Sequence, residues 1–145
     1  MNQCYLYMKK CLLLALIALM AVACSKEEKE DSGFDNPMEV IYGTWRITHI
    51  KQQSMEWLDV TMPTAEKSFK PTYITFRRGG VFVVKGAFGD KEGTYTVQGK
   101  TIKSYADDEE FMCYDVVFLE GSRAEFKLYN TGNPYSTLGI RCKKQ

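Results

Sequence analysis

Histidine occurs once in this chain, at His49, and that scarcity narrows the chemistry available. The one nucleophile, base and orienter set that can be assembled is Cys113, His49 and Asp115. Cys113 and Asp115 share a strand-like run, and nothing in the pattern fixes His49 beside them. A strand-end histidine hydrogen-bonded to backbone or water is the plainer reading. No Cys/His cluster has zinc-ligand spacing. Asp107-Asp108-Glu109-Glu110 lacks the interleaved ligands and central glycine of an EF-hand loop, so it reads as a solvated turn. The expectation is a protein that is not an enzyme and holds no metal or other cofactor.

A dominant charge is missing too. The 145 residues carry 19 basic and 18 acidic side chains. Removing Lys9 and Lys10 with the N-terminal segment described below leaves 17 against 18. No basic stripe of the kind nucleic-acid binding needs is built, so that class is set aside. A sustained helical period is also absent. From Val40 onward the chain alternates in short β-patterned runs, and the aromatic content of 13% favours strands as well. The length suits one domain rather than two.

Only one long apolar run exists, Cys11 through Met20, and it is too short to span a bilayer stably. Lys9-Lys10 before it and Ala21-Val22-Ala23 after it have the order of an export signal. Met8-Lys9-Lys10 is a more natural start than residues 1–7. Small residues directly before Cys24 resemble the lipobox of bacterial lipoproteins, in which that cysteine is lipidated and becomes the mature N-terminus. Ala21 stands where that pattern usually has Leu, and an ordinary secretory signal is the alternative. The resemblance implies a signal over 1–23, lipidation at Cys24 and a tether over 24–39. The polar stretch Ser25-Lys26-Glu27-Glu28-Lys29-Glu30-Asp31-Ser32-Gly33 cannot bury enough apolar surface to fold. It is either a plain spacer or, as Ser-Lys followed by acidic residues resembles, a signal for the outer face of the outer membrane.

Cysteine is scarce once Cys4, Cys11 and Cys24 are accounted for. Cys113 and Cys142 remain, and an exported domain invites a disulfide between them. A meander order puts them two strands apart, about 9–10 Å between backbones and beyond disulfide reach. Buried free thiols are expected.

The folded part, 40–145, contains eight runs. They are 42–50, 72–76, 81–85, 93–97, 101–105, 111–119, 124–129 and 137–142, joined by tight turns except for the long connection 51–69. Arg77-Arg78-Gly79-Gly80 and Gln98-Gly99-Lys100 are hairpin signals. Eight antiparallel strands in meander order can close into a barrel with no exposed edge. A transmembrane barrel is not expected, because Thr94, Thr96, Lys103, Glu125 and Lys127 interrupt any outer apolar band.

Gly43-Thr44-Trp45 near the start of the first run, the long first loop and Arg141 in the last run resemble the lipocalin-like fold. With the tether, "YITF…GG" and "GTYTV", they resemble bacterial lipocalin-like lipoprotein domains. The resemblance implies an all-β, eight-stranded antiparallel meander closing into a small barrel. It implies Trp45 as plug of the closed end, Gly43 beside it and Arg141 as a cation packed across the ring. The alternation of Leu138, Ile140 and Cys142 toward the interior would instead put Arg141 outside.

For function, the resemblance and the 51–69 loop point to binding of a small apolar or amphipathic ligand. Trp57, Leu58, Val60 and Met62 are candidates for an apolar lid, or else simply cover the core. A carrier needs an apolar cavity of about 300 Å³ or more, expected to open near Trp57. The alternative is a surface interaction module with a side-chain-filled core and a protein or glycan partner. Val81-Phe82-Val83-Val84 and Val116-Val117-Phe118-Leu119 are apolar on both faces and would supply the contact. The membrane would be met only through the lipid anchor of an exported protein on the outer membrane, at the cell surface if the tether is a sorting signal.

Overall fold

Alternating side chains pair the runs into one antiparallel sheet that curls until its last strand meets its first. The computed structural model describes residues 38–145; the export signal, Cys24 and most of the tether lie outside them. A 3-10 turn over Glu39–Ile41 leads into β1, Gly43–Gln52. Glu39, expected in the tether, therefore belongs to the fold. After β1 come β2 (Leu58–Asp59), a four-residue helix α1 (Pro63–Glu66), β3 (Tyr73–Arg77), β4 (Val81–Lys85) and β5 (Lys91–Gln98). The remaining strands are β6 (Thr101–Ala106), β7 (Glu109–Glu120), β8 (Arg123–Asn130) and β9 (Asn133–Lys144). Each strand from β3 onward pairs with the next. β9 returns to β1 with Trp45 opposite Lys144 and Gln52 opposite Leu138, which closes the barrel.

Eight of these strands form the closed wall expected from the sequence. The ninth, β2, adds two residues to the far half of β1, with Ile50 opposite Leu58 and His49 opposite Asp59. It arises inside the long first connection, where Val60 N–H also donates to the Thr48 carbonyl at 2.9 Å. Asp107 and Asp108 make the β6–β7 turn by themselves, both with positive φ. Glu109 and Glu110, expected in that turn, already belong to β7. Aspartate tolerates the left-handed region better than most residues, because its short side chain can bond locally.

One end of the barrel is closed by side chains. Trp45 is fully buried, and its indole N–H donates to the Ile41 carbonyl at 2.8 Å. Above it the rings interlock edge to face: Phe76 with Tyr95 at 5.1 Å between centroids, Phe76 with Tyr114 at 5.7 Å, and Tyr114 with Phe126 at 6.1 Å. Such aromatic pairs add about 0.5–1.5 kcal/mol each beyond the area they bury. Close approach on this scale needs bare backbone at Gly93. A Cβ there would lie 1.8 Å from the Tyr105 carbonyl oxygen and 2.9 Å from the Phe82 ring.

The cation over the plug is Lys144, not Arg141. Lys144 Nζ sits 5.2 Å from the Trp45 ring centroid and donates to the Val40 carbonyl at 2.8 Å. Its stem occupies the space a side chain at position 43 would take, since a Cβ on Gly43 would come within 2.7 Å of Lys144 Cε. Gly43 also has φ near +125°, a conformation L side chains rarely adopt. The reason for the substitution of roles is strand parity. Ile140 and Cys142 are buried in the core, so Lys144 follows them inward while Arg141 and Lys143 face solvent.

Cys113 and Cys142 are free and buried. They lie on β7 and β9, with β8 between them. Cys142 belongs to the interior cluster. Cys113 instead meets Glu110 Oε1 at 3.4 Å and Thr131 Oγ1 at 3.6 Å, by the β8–β9 turn.

Candidate functional site at the barrel mouth

The end of the barrel away from the tryptophan plug is open to solvent above the core. A pocket of about 610 Å³ opens between the ends of β1, β7, β8 and β9. Its apolar floor is Met112, Leu128 and Leu138. Leu128 and Leu138 stand opposite each other in the β8–β9 ladder and so share the inner face. The rim is polar but uncharged, formed by Gln52, Gln53 and Ser54 on one side and Asn130, Ser136 and Thr137 on the other. No Asp, Glu, Lys or Arg lines it among the described residues.

Local bonds hold this rim in shape. Met55 N–H donates to the Gln52 carbonyl at 2.7 Å, turning the chain back over the end of β1. Gln53 Nε2 donates to the Tyr135 carbonyl at 2.8 Å, which ties that turn to β9. Asn130 Nδ2 donates to the Phe111 carbonyl at 2.8 Å. Glu110 fastens the β8–β9 turn from the other side, accepting from Thr131 N–H at 2.7 Å and from its hydroxyl at 2.6 Å. Those two bonds hold the Glu110 carboxyl below its ordinary pKa. Met55, 62% exposed at the pocket edge, supplies an adaptable thioether rather than a rigid wall.

None of the four candidate lid residues lines this pocket. Trp57 crosses the outer face of the barrel instead, with Arg141 Cζ 4.0 Å and Lys51 Nζ 5.9 Å from its ring centroid and its edge against Gly139. Parity again explains the placement. Leu58 pairs with Ile50 on the inner register, so Trp57 and Asp59 flank it on the outer side. Val60 is 3% exposed and packs in the core. Leu58 and Met62 are more than half exposed. The part of the 51–69 connection that does border the pocket is its start, through Met55. Leu128 and Leu138 could be found from strand alternation, whereas Gln52, Gln53 and Ser54 carry no signal beyond being polar.

The nucleophile set considered from sequence is not assembled. His49 sits on β1, where Nδ1 lies 2.9 Å from Thr48 Oγ1 and Nε2 lies 3.9 Å from Asp59. Cys113 and Asp115 are on β7, separated from β1 by β8 and β9. Asp115 is engaged by the Thr101 and Tyr129 hydroxyls at 2.8 and 3.0 Å. Burial pushes the Cys113 thiol above its ordinary pKa, with Glu110 adding to the rise. Burial does the same to Cys142. Both therefore remain thiols at neutral pH, the less reactive form.

A meander closed on itself, plugged by an aromatic at one end and hollow at the other, is a small lipocalin-like barrel. The family model for the lipocalin-like domain matches residues 41–133, and the chain belongs to that family. No curated protein and no solved structure matches the chain.

Proposed function

We propose that this domain is a binding protein for a small, uncharged amphipathic molecule, held in the mouth pocket. The observation that carries the reading is the pocket's division into an apolar floor and a neutral hydrogen-bonding rim. An apolar tail gains by leaving water for Met112, Leu128 and Leu138. A carboxylate or ammonium head would enter without an ionic partner, and a buried unpaired charge is costly. A hydroxyl, amide or ester head can instead bond to Gln52, Asn130 or Thr137. Membership of a binding-type family and the dispersal of His49, Cys113 and Asp115 favour binding over catalysis.

The test is a titration of the full chain with a fluorescent fatty-acyl methyl ester. Saturable enhancement is expected. Leu138→Trp, which puts an indole into the hollow, should abolish it while changing stability by no more than about 1 kcal/mol, as expected where there is open space to fill. Equal binding by Leu138→Trp and wild type would sink the assignment.

The same reading places the domain outside the cell on a lipid anchor at Cys24, carried by the lipobox resemblance, with the outer membrane as destination. Several acyl chains on one residue hold far better than one. Cys24→Ser is expected to move the protein from the membrane fraction to the soluble one; unchanged partition would remove the anchor from the proposal.

A further inference from the structure

On the outer wall, three cations stand side by side on adjacent strands. Arg123 on β8 is opposite Lys143 on β9, and Lys143 is in turn opposite Arg46 on β1. Neighbouring strands are about 4.8 Å apart, and like charges directly across a ladder destabilise it. The row is only partly neutralised. Arg46 reaches Glu66 at 3.6 Å, and in the next row Arg141 reaches Glu125 at 3.2 Å. Arg123 and Lys143 have no carboxylate within ion-pair distance among the described residues. Glu120, across from Arg123 in register, makes no ion pair with it.

The row does not lie on a flat surface. A hollow of about 730 Å³ runs along it, bounded by Arg123, Arg141, Lys143, His49, Phe118 and Glu125, whose carboxylate is taken up by its pairing with Arg141. A second, of about 430 Å³, shares Lys143, Thr48 and Thr61 with the first and continues to Arg46. Phe118 is 39% exposed, and the Arg123 guanidinium lies 5.8 Å from its ring centroid. Its exposure follows from a bulge between Val116 and Phe118, which turns Phe118 outward opposite Glu125. Arg46 Nε is buried and without a hydrogen-bond partner. Guanidinium forks match the oxygen geometry of phosphate, and a lysine beside them adds a point charge.

We propose that this outer-wall trough binds a phosphate group, with Lys143 at its centre, Arg123 and Arg46 on either side, and Phe118 beside whatever apolar part the phosphate carries. The site is separate from the mouth pocket, whose lining holds no charge. Phosphate can arrive as a free anion or as a phospholipid head, and Phe118 lets the two be told apart.

The experiment follows backbone amides of the full chain by NMR during titration with inorganic phosphate and with soluble dihexanoyl phosphatidic acid. Saturable shifts at Lys143, Arg123 and Arg46 with both probes at similar affinity identify a free-phosphate site. Phosphatidic acid binding about ten-fold tighter or more, with shifts reaching Phe118, identifies a phospholipid head, the added gain coming from burial of apolar surface. Arg123→Gln with Lys143→Gln should abolish either response, and both residues are exposed, so the fold should survive. Lys143→Arg should retain binding. Absence of saturable shifts in the wild type, or undiminished binding by the double variant, overturns the proposal. Leu138→Trp, which fills the mouth pocket, should leave phosphate binding unchanged.

Discussion

The two ends of the barrel are built from the same alternation and put it to opposite uses. At the closed end, inward positions hold Trp45, Phe76, Tyr95 and Tyr114, all at most 1% exposed. At the mouth they hold Met112, Leu128 and Leu138 around a hollow. At the closed end burial pushes the Tyr114 phenol well above its ordinary pKa, with the Ser104 hydroxyl working against the rise. At the mouth the Gln53 amide reaches across to the Tyr135 carbonyl, and the Asn130 amide to the Phe111 carbonyl. Stability therefore concentrates where the rings interlock, and freedom to accept a guest concentrates where they stop.

The largest expected difference between the ends is in truncation. Trp45→Ala removes the plug, its bond to Ile41 and the partner of Lys144, and should cost about 3–5 kcal/mol. Leu138→Ala is only half-buried beside existing space, and a cost below about 2 kcal/mol is expected because little new cavity is made. Urea unfolding of both variants measures the contrast. Equal costs would mean that the mouth is as tightly packed as the plug, and the division between the ends would fall.

A smaller contrast separates the two cations that lie over tryptophans. Lys144→Met keeps the apolar stem against Gly43 but deletes the charge over Trp45 and the bond to Val40. Arg141→Met deletes the charge over Trp57 on the outer wall together with its exposed ion pair to Glu125, which adds little. The first should cost about 1–2 kcal/mol and the second about 0.5–1 kcal/mol, since cation–π attraction grows as solvent is removed. Thermal unfolding ranks them. The reverse order would assign the stabilising cation to the outer wall and weaken the account of the closed end.

Much of this was legible because β parity is a strict code. Ile140 and Cys142 read as inward, and that alone sends Arg141 out and Lys144 in. The family resemblance favoured Arg141 for the plug, and the backbone overruled it. Gly43 was readable as the neighbour of the plug, although nothing marked Lys144 as the group that packs against it. The long connection was less transparent for a physical reason. A two-residue strand such as β2 has no periodicity of its own, so the side from which Trp57 would depart was not encoded locally. Val60 and Leu58, two positions apart and equally apolar, ended with opposite fates, one in the core and one in solvent. The mouth rim was the least legible part, because Gln52, Gln53 and Ser54 gain meaning only when β7, β8 and β9 arrive beside them.

The smallest expected effect tests how firmly the rim is fixed. Glu110 is held below its ordinary value of 4.5, first by the Thr131 hydroxyl and then by the Thr131 N–H. A carboxylate depressed in the folded state contributes stability that is present in full above its unfolded pKa and is lost as pH falls through the folded one. Acidification from about pH 5 to below 4 should therefore loosen the β8–β9 turn, by less than about 1 kcal/mol because solvent screens the group. Asp59 is lowered in the same direction by Thr61 and shares the acid loss of the whole domain. Glu110→Gln isolates the part that belongs to the rim. The variant should be slightly less stable than wild type at pH 7 and converge with it as the pH falls through the folded-state pKa of Glu110, below which both are neutral at this position. Amide hydrogen exchange at Thr131 should accelerate in the variant at neutral pH while exchange at Trp45 stays unchanged. If both sites accelerate together, the mouth and the plug open as one unit, and the hollow end has no independent freedom to admit a ligand.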